Sequence, residues 1–440
     1  MNRFKQFITA RSISLGLILM LTGVMYISTL VPQQIDSTPG MLEAWRGGHA
    51  GWLWLVDTLQ LHSIYGQPWF AATILCAALS LGVSSYDQLA VTRRKLYSSA
   101  TASAEEIAGA LPGHRLESVA RTNRYRIIKS AHGDNLKFIK NSWGYFGVML
   151  LHVGITLVIL VSLFVSLTGR QGALMLVEGE QRDGRQPWNA YQHGLMVAPL
   201  QLPGTIRLDR VRVYFDDKNR QMEVSSDISF TDQAGRTESL TASINRIQHY
   251  RGLRIYHAAQ YGDAFTVTFT DSKGNSHVER IMVQQAMDPA KAGYSEDFSV
   301  SWSQFLFDAK YFADADRKSM LSTNPELFLR MLDGGREIAR TSLTRGVAGT
   351  LGEYIVKFDR VEKWSKLIIV DITGMSAIFA GFAIIMLGGL IHYMAPPREL
   401  IGIRLPDGNY DVYWKAAYFR DFFVEERDQM IKTFKEGNLV

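Results

Sequence analysis

Residues Trp143–Leu167 read WGYFGVMLLHVGITLVILVSLFVSL, 25 residues with no Asp, Glu, Lys or Arg. At 1.5 Å of rise per residue, a helix of this length exceeds a bilayer core of about 30 Å. One ionisable side chain lies inside it, His152. An ionisable group within a membrane span is costly and marks a functional site.

Working outward, three further apolar stretches accompany this span. Residues 12–31 follow a short basic N-terminus, 1–11. A second span is expected over 69–90, stopped by Arg93-Arg94-Lys95, and a fourth over 371–394, leaving by Pro396-Pro397-Arg398. The first stretch is read as a span rather than a signal peptide. It ends in Thr29-Leu30-Val31-Pro32-Gln33-Gln34, with no small-x-small cleavage site, and its apolar run is long. The segment 91–142 carries Arg93, Arg94, Lys95, Arg115, Arg121, Arg124, Arg126, Lys129, Lys137 and Lys140 against four acids. Positive charge near span ends marks the cytoplasmic side, and Arg3, Lys5 and Arg11 agree. The expected order is therefore an inside N-terminus, an external loop 32–68, a basic cytoplasmic loop 91–142, an external domain 168–370 and a cytoplasmic tail 395–440.

The external domain reads as strands. Val211, Val213 and Phe215 alternate with polar neighbours, as do Phe265, Val267 and Phe269, and Tyr354, Val356 and Phe358. Turn signals separate them at Asp216-Asp217-Lys218-Asn219, Asp271-Ser272-Lys273-Gly274 and Asp333-Gly334-Gly335. Residues 309–330 look irregular or helical. In the tail, 403–415 predicts a hairpin about Pro406-Asp407-Gly408, followed by a helix over 416–434. The fold class expected is an α-helical membrane protein with four transmembrane helices plus a large external all-β, sandwich-like domain.

Composition narrows the chemistry. The chain has 440 residues, 47% hydrophobic and 20% charged, with a net charge of +5. No basic run is interleaved with aromatics, which argues against nucleic acid as a partner. Cys76 is the one cysteine, so no internal disulfide or Cys-x-x-Cys pair exists. Any metal must be held by His, Met or carboxylates. No Gly-x-Ser-x-Gly, His-Glu-x-x-His, phosphate loop or dinucleotide fingerprint is present, and no catalytic residue is assigned.

His152 shares a helical stripe with Gly144, Val148 and Thr156. Two readings stand: an axial ligand to haem iron, for which neutral imidazole is a good donor, or an interhelical hydrogen bond worth about 0.6–2 kcal/mol. His392 ends the fourth span, one turn beyond a heptad line of Gly374, Gly381 and Gly388. It reads as an interface residue, with a haem-ligating or haem-admitting role as the alternative. His49 and His62 are external-loop residues that could touch haem or simply be solvated. Trp45, Trp52, Trp54 and Trp69 form an interfacial belt first. Glu178 and Glu180, in Val177-Glu178-Gly179-Glu180, read as a turn just outside the membrane.

Several pieces, taken in order, resemble a known family. These are Thr29-Leu30-Val31-Pro32-Gln33, Leu151-His152-Val153-Gly154 with Gly172 and Glu178-Gly179-Glu180, and Ser243-Ile244-Asn245-Arg246. They continue with Tyr250-Arg251-Gly252, Ile255–Gly262 (IYHAAQYG), then Gly381, Gly388, His392, Gly408 and Phe422–Glu426 (FFVEE). Together with the three-plus-one arrangement of spans, they are similar to the ResB/CcsB family of cytochrome c biogenesis proteins, the System II route. The chain departs from the family pattern at Ile247-Gln248, where Pro-Leu is usual, and at His257, where glutamine is common.

The resemblance implies a haem-handling membrane subunit of the bacterial cytoplasmic membrane. It would pair with a CcsA/ResC-type subunit carrying a tryptophan-rich haem segment. Haem b would be taken from the cytoplasmic side and presented outside to the Cys-x-x-Cys-His thiols of an apocytochrome c. The family's membrane histidine maps onto His152, as a ligand to haem iron. Two other classes remain open in the sequence: a scaffold that stabilises the partner and binds no haem, and a membrane-anchored sensor, weakened by the lack of an output module in the tail.

Overall fold

The computed structural model describes residues 11–98, 101, 103–128, 135–295 and 297–436. Arg3, Lys5 and Lys129, used above for orientation, lie outside them. The chain forms two compact units. One gathers the chain up to Thr22, Ala72–Phe164 and Gly374 onward; the other holds Gly23–Ala71 and Val165–Thr373.

Four apolar helices are present: Arg11–Leu30, Pro68–Tyr97, Phe146–Thr168 with a 3-10 lead from Ser142, and Met375–Met394. The last three are long and apolar enough to cross a membrane; in the first, the apolar run covers Leu15–Leu30. The second helix runs seven residues past its expected end at 90, carrying Arg93, Arg94 and Lys95 on its last turns. Long cationic side chains can extend to the interface while the backbone stays helical, so charge alone does not stop it. The fourth helix starts at Met375 rather than 371. Gly374, with φ +110, takes the left-handed N-cap position, while Asp371 still belongs to the preceding strand.

The segment 32–68, expected as a loop, is largely helical. Pro39–Gly48 is capped by Thr38, whose hydroxyl accepts from the Met41 N–H at 3.3 Å. Leu53–Leu59 ends at Gln60 in left-handed conformation, φ +54. The Thr-Pro start is a helix signal in its own right, but the Gly- and Trp-rich composition hid it.

The large β region is built on a central seven-stranded sheet. Its two 18-residue strands, Leu253–Thr270 and Tyr354–Asp371, pair antiparallel along almost their whole length. At about 3.4 Å per residue each is some 60 Å long, long enough to serve two cores. At one end, Leu176, Ile255, Leu367 and Ile369 pack on Leu208, Val224, Ile228 and Phe230 of a four-stranded sheet. At the other, Phe265, Phe269 and Phe358 pack on Phe307, Tyr311, Leu327 and Leu329 of a five-stranded sheet. The sandwich is therefore double, with one sheet shared. Residues 309–330 are not helical. Strands Leu306–Phe312 and Glu326–Asp333 bracket an irregular link. Charged Lys310 and Arg330 on the outer face masked the alternation of Leu327, Leu329 and Met331.

The basic segment and the tail are not independent appendages. Their strands interleave in one five-stranded sheet, ordered Glu105–Leu111, Tyr410–Ala416, Arg398–Arg404, Leu136–Lys140, Arg126–Ile128. The expected tail hairpin is there, turning through Gly408 at φ +87. Helices Gly113–Thr122 and Val424–Glu436 cover the sheet, burying Leu116, Phe138, Leu400, Trp414, Met430 and Phe434. Because Leu136–Lys140 leads into the third apolar helix and Arg398–Arg404 follows the fourth, their pairing returns both helix ends to one sheet.

Candidate functional site

The third and fourth apolar helices meet through glycine. A β-carbon at Gly147 would stand 2.7 Å from the His392 nitrogen and 2.9 Å from the Gly388 oxygen. One at Gly154 would stand 2.9 Å from the Gly381 oxygen and the Ile385 nitrogen. Gly381 and Gly388 meet Val158 and Leu151 equally closely. Backbones touch at two points seven residues apart on each helix, the close approach that small residues permit in lipid. Of the heptad glycines, Gly381 and Gly388 serve this seam, whereas Gly374 is a cap.

His152 lies off the seam. At about 100° per residue it sits about 140° around the helix from Gly147 and about 200° from Gly154. Its stripe turns towards the second helix, where the Thr156 hydroxyl meets the Ser85 hydroxyl at 2.9 Å. His152 Nδ1 lies 2.9 Å from the Val148 carbonyl oxygen of its own helix. A carbonyl only accepts, so the proton belongs on Nδ1 and the lone pair on Nε2. Among the described residues no hydrogen bond ties His152 to another helix of this chain. A half-buried imidazole with its donor nitrogen engaged and its Nε2 without a hydrogen bond among the described residues is an arrangement metal-ligating histidines use. The side chain fits a role as an iron ligand.

His392 sits elsewhere. Its backbone abuts Gly147, about 7.5 Å of helix rise from His152 and on another face. Its ring is boxed by Tyr418 at 4.4 Å, Tyr393 at 5.1 Å and Phe419 at 5.7 Å. Nδ1 is buried without a hydrogen bond. Within this chain the His392 ring is packed among aromatic side chains.

In the other unit, Trp45 stacks on His49 at 4.4 Å and meets His62 edge-on at 5.5 Å. Both rings are fixed by Nδ1 contacts to carbonyls, Trp45 O at 2.8 Å and Pro32 O at 2.9 Å. His257 is buried, with Nδ1 on the Ala258 carbonyl, and burial pushes its pKa down. Glu178 and Glu180 do form a turn, through Gly179 at φ +83. An eight-residue strand, Arg170–Val177, separates that turn from the helix end. Glu178 accepts from the Val211 N–H at 2.7 Å, and Glu180 pairs with Arg182 at 2.8 Å, so both carboxylates stitch strands together.

Three buried charged groups, Lys137, Glu399 and Lys366, have no site role in the sequence reading. Lys137 and Glu399 pair at 3.2 Å with almost no exposure. Lys366 is also buried, and its amine donates to the Ser37 carbonyl at 3.0 Å. Burial pushes Lys366 down to about 8, the nearby Asp36 carboxylate pulling partly back. The unfolded chain keeps that proton until about pH 10.5. Between pH 8 and 10.5 the unfolded state thus binds more protons, so stability rises with pH there, by on the order of 3 kcal/mol. Thermal unfolding of wild type and Lys366→Met across that range should show the rise only in wild type. Parallel profiles would mean that Lys366 carries no burial penalty.

The ResB-like family matches residues 12–412. A cytochrome c biogenesis protein CcsB of Synechococcus sp. (strain WH7803) is 23% identical over 416 residues, covering 90% of this chain and 89% of its own. A CcsB of Gloeobacter violaceus is 23% identical over 408 residues, covering 87% and 81%. Among solved structures, a cytochrome c haem lyase CcmF aligns over 78% of this chain and 44% of its own, at 11% identity and a TM-score of 0.24. With nearly the whole length matched, from the first apolar helix to the tail hairpin, the chain belongs to the ResB-like family.

Proposed function

We propose that this chain acts in cytochrome c biogenesis as the haem-handling membrane subunit of a System II synthase. The reading rests on one observation above others: His152 presents an Nε2 lone pair from within a membrane-length helix, on a face not used by the glycine seam. Haem iron ligated there would be held on one side by this imidazole. The Val148 carbonyl fixes the ring and its tautomer, and favours charge transfer to the metal. Membrane lipid surrounds the apolar helices, whose outer faces this chain leaves largely uncovered.

The second ligand would come from a CcsA/ResC-type partner, the His392 ring being packed among Tyr393, Tyr418 and Phe419. Haem b would be admitted from the cytoplasmic side of the bacterial inner membrane, the side of the basic segment and tail. The β domain would lie outside, where the Cys-x-x-Cys-His thiols of an apocytochrome c are joined to haem. In this scheme the chain is an accessory, non-catalytic subunit: it positions haem and supplies no nucleophile.

The test is the absorption spectrum of the complex co-purified with its partner, wild type against His152→Ala. The reduced wild-type complex should show six-coordinate haem. The variant should lose most of it and regain it with added imidazole. Full haem in a stable variant complex would instead establish a scaffold that binds no haem through this residue.

A further inference from the structure

The edge strand Ser276–Gln284 borders a groove of about 560 Å³. Four residues in a row, Glu279 to Met282, line it. Neighbouring side chains of a strand point to opposite faces, so a hollow touched by four successive residues runs along the strand's edge. The far wall is again consecutive, Asp297 to Val300. Ser276–Gln284 pairs only with Leu253–Thr270, and Phe298–Ser299 only with Leu306–Phe312. Two strand edges, one from the central sheet and one from the five-stranded sheet, thus flank a gap that no described strand fills.

The gap has ends. At one, Gly293 lies against the Gln284 carbonyl. At the other, Trp302 stacks on His277 at 4.7 Å and donates to Glu279 at 2.7 Å. The intervening strand offers about five residues, or about 17 Å, of open edge. Met41, Met175, Met282 and Trp364 line the groove. Methionine is flexible and polarisable, and suits a surface that must fit more than one side chain. Among the described residues the lining carries three carboxylates, Glu43, Glu279 and Asp297, and one cation, Arg280, which already stands 3.6 Å from Glu180.

We propose that this groove binds an extended, positively charged polypeptide segment as an added strand. Main-chain hydrogen bonds to the open edges would supply sequence-tolerant affinity, the methionines would take its apolar side chains, and the carboxylates would select lysine or arginine. The proposal builds on the biogenesis reading above, in which an unfolded secreted chain must be held while it is modified. It says where, and by what chemistry, such a chain is gripped.

The experiment uses the full chain in nanodiscs without haem, so its outcome is independent of the His152 test. Three labelled ten-residue peptides of alternating apolar and charged residues are titrated by fluorescence anisotropy. One carries lysines, one carries glutamates in their place, and one carries the lysines with alternate backbone nitrogens methylated. The lysine peptide should bind saturably, at least tenfold tighter than either other, and more weakly as salt rises. Glu279→Lys combined with Asp297→Lys should weaken it at least tenfold. A photo-crosslinking residue in place of Met282 should capture it. No saturable binding overturns the proposal, as does equal binding of the methylated peptide or capture at positions outside the groove only.

Discussion

A leucine in place of Gly147 is expected to remove folded protein from the membrane, whereas alanine in place of Gly389 should leave it at wild-type level. The two glycines are both on the paired helices, but they meet different things. At Gly147 even a β-carbon falls 2.7–2.9 Å from backbone atoms of Gly388 and His392. Backbone cannot rotate away as a side chain can, so the helices must part. At Gly389 the nearest atom is a leucine methyl at 3.9 Å. Overpacking a tight core typically costs about 1–3 kcal/mol, and more when the obstruction is rigid. Parting the helices also forfeits the second contact, at Gly154 and Gly381, because both belong to one seam. Fluorescence-detected size-exclusion chromatography after a temperature series measures the loss. Equal midpoints for the two variants would refute the seam as the basis of helix pairing.

The second large effect is expected at Glu399. This carboxylate sits among Lys137 at 3.2 Å, Lys415 at 3.3 Å and the Tyr145 hydroxyl, which donates to it. Lys137 pairs across strands with Ile401, two residues from Glu399, so the ions are diagonal neighbours on one face of the sheet. The Lys137 amine also donates to the Lys95 and Ser98 carbonyls, each at 2.6 Å, at the end of the second apolar helix. Removing one partner of a buried pair leaves the other charge uncompensated, at about 3–5 kcal/mol. Glu399→Ala should therefore unfold the small sheet well before wild type. The double variant Lys137→Met/Glu399→Leu should cost less than the sum of the single ones, because no orphaned charge remains. Hydrogen exchange over 398–416 reads the local stability. Strict additivity would mean that the pair is solvated rather than buried.

The apolar helices were legible because a run free of charge over about 20 residues has few other readings. His152 stood out for the same reason: it is the only His, Asp, Glu, Lys or Arg in its run. The long alternating strands were legible where one face is core and the other water, as at Phe265, Val267 and Phe269. What escaped was whatever depends on a partner far away in the chain. Leu136–Lys140 (LKFIK) is too short to read as a strand unaided, and its lysines look like loop charge until Glu399 and Glu426 are seen beside them. The tautomer of His152 and the offset of His392 depend on local geometry that spacing along one helix does not contain. The helix after Thr38 was within reach, since a Thr-Pro start is a local signal, but composition outweighed it.

The order of strands in the small sheet also has a consequence in time. Arg398–Arg404 and Tyr410–Ala416 occupy its second and third places, between Glu105–Leu111 and Leu136–Lys140. They leave the ribosome about 260 to 305 residues later than the strands they join, which at about 5–20 residues per second is a delay of about 13–60 s. Throughout that interval Glu105–Leu111 lacks its strand partner and Leu136–Lys140 has only Arg126–Ile128 beside it. The sheet can close only after the fourth apolar helix has been made and the tail strands have followed it. A chain truncated before Arg398 would lack both central strands, so this sheet vouches for the completeness of everything between its early and late strands.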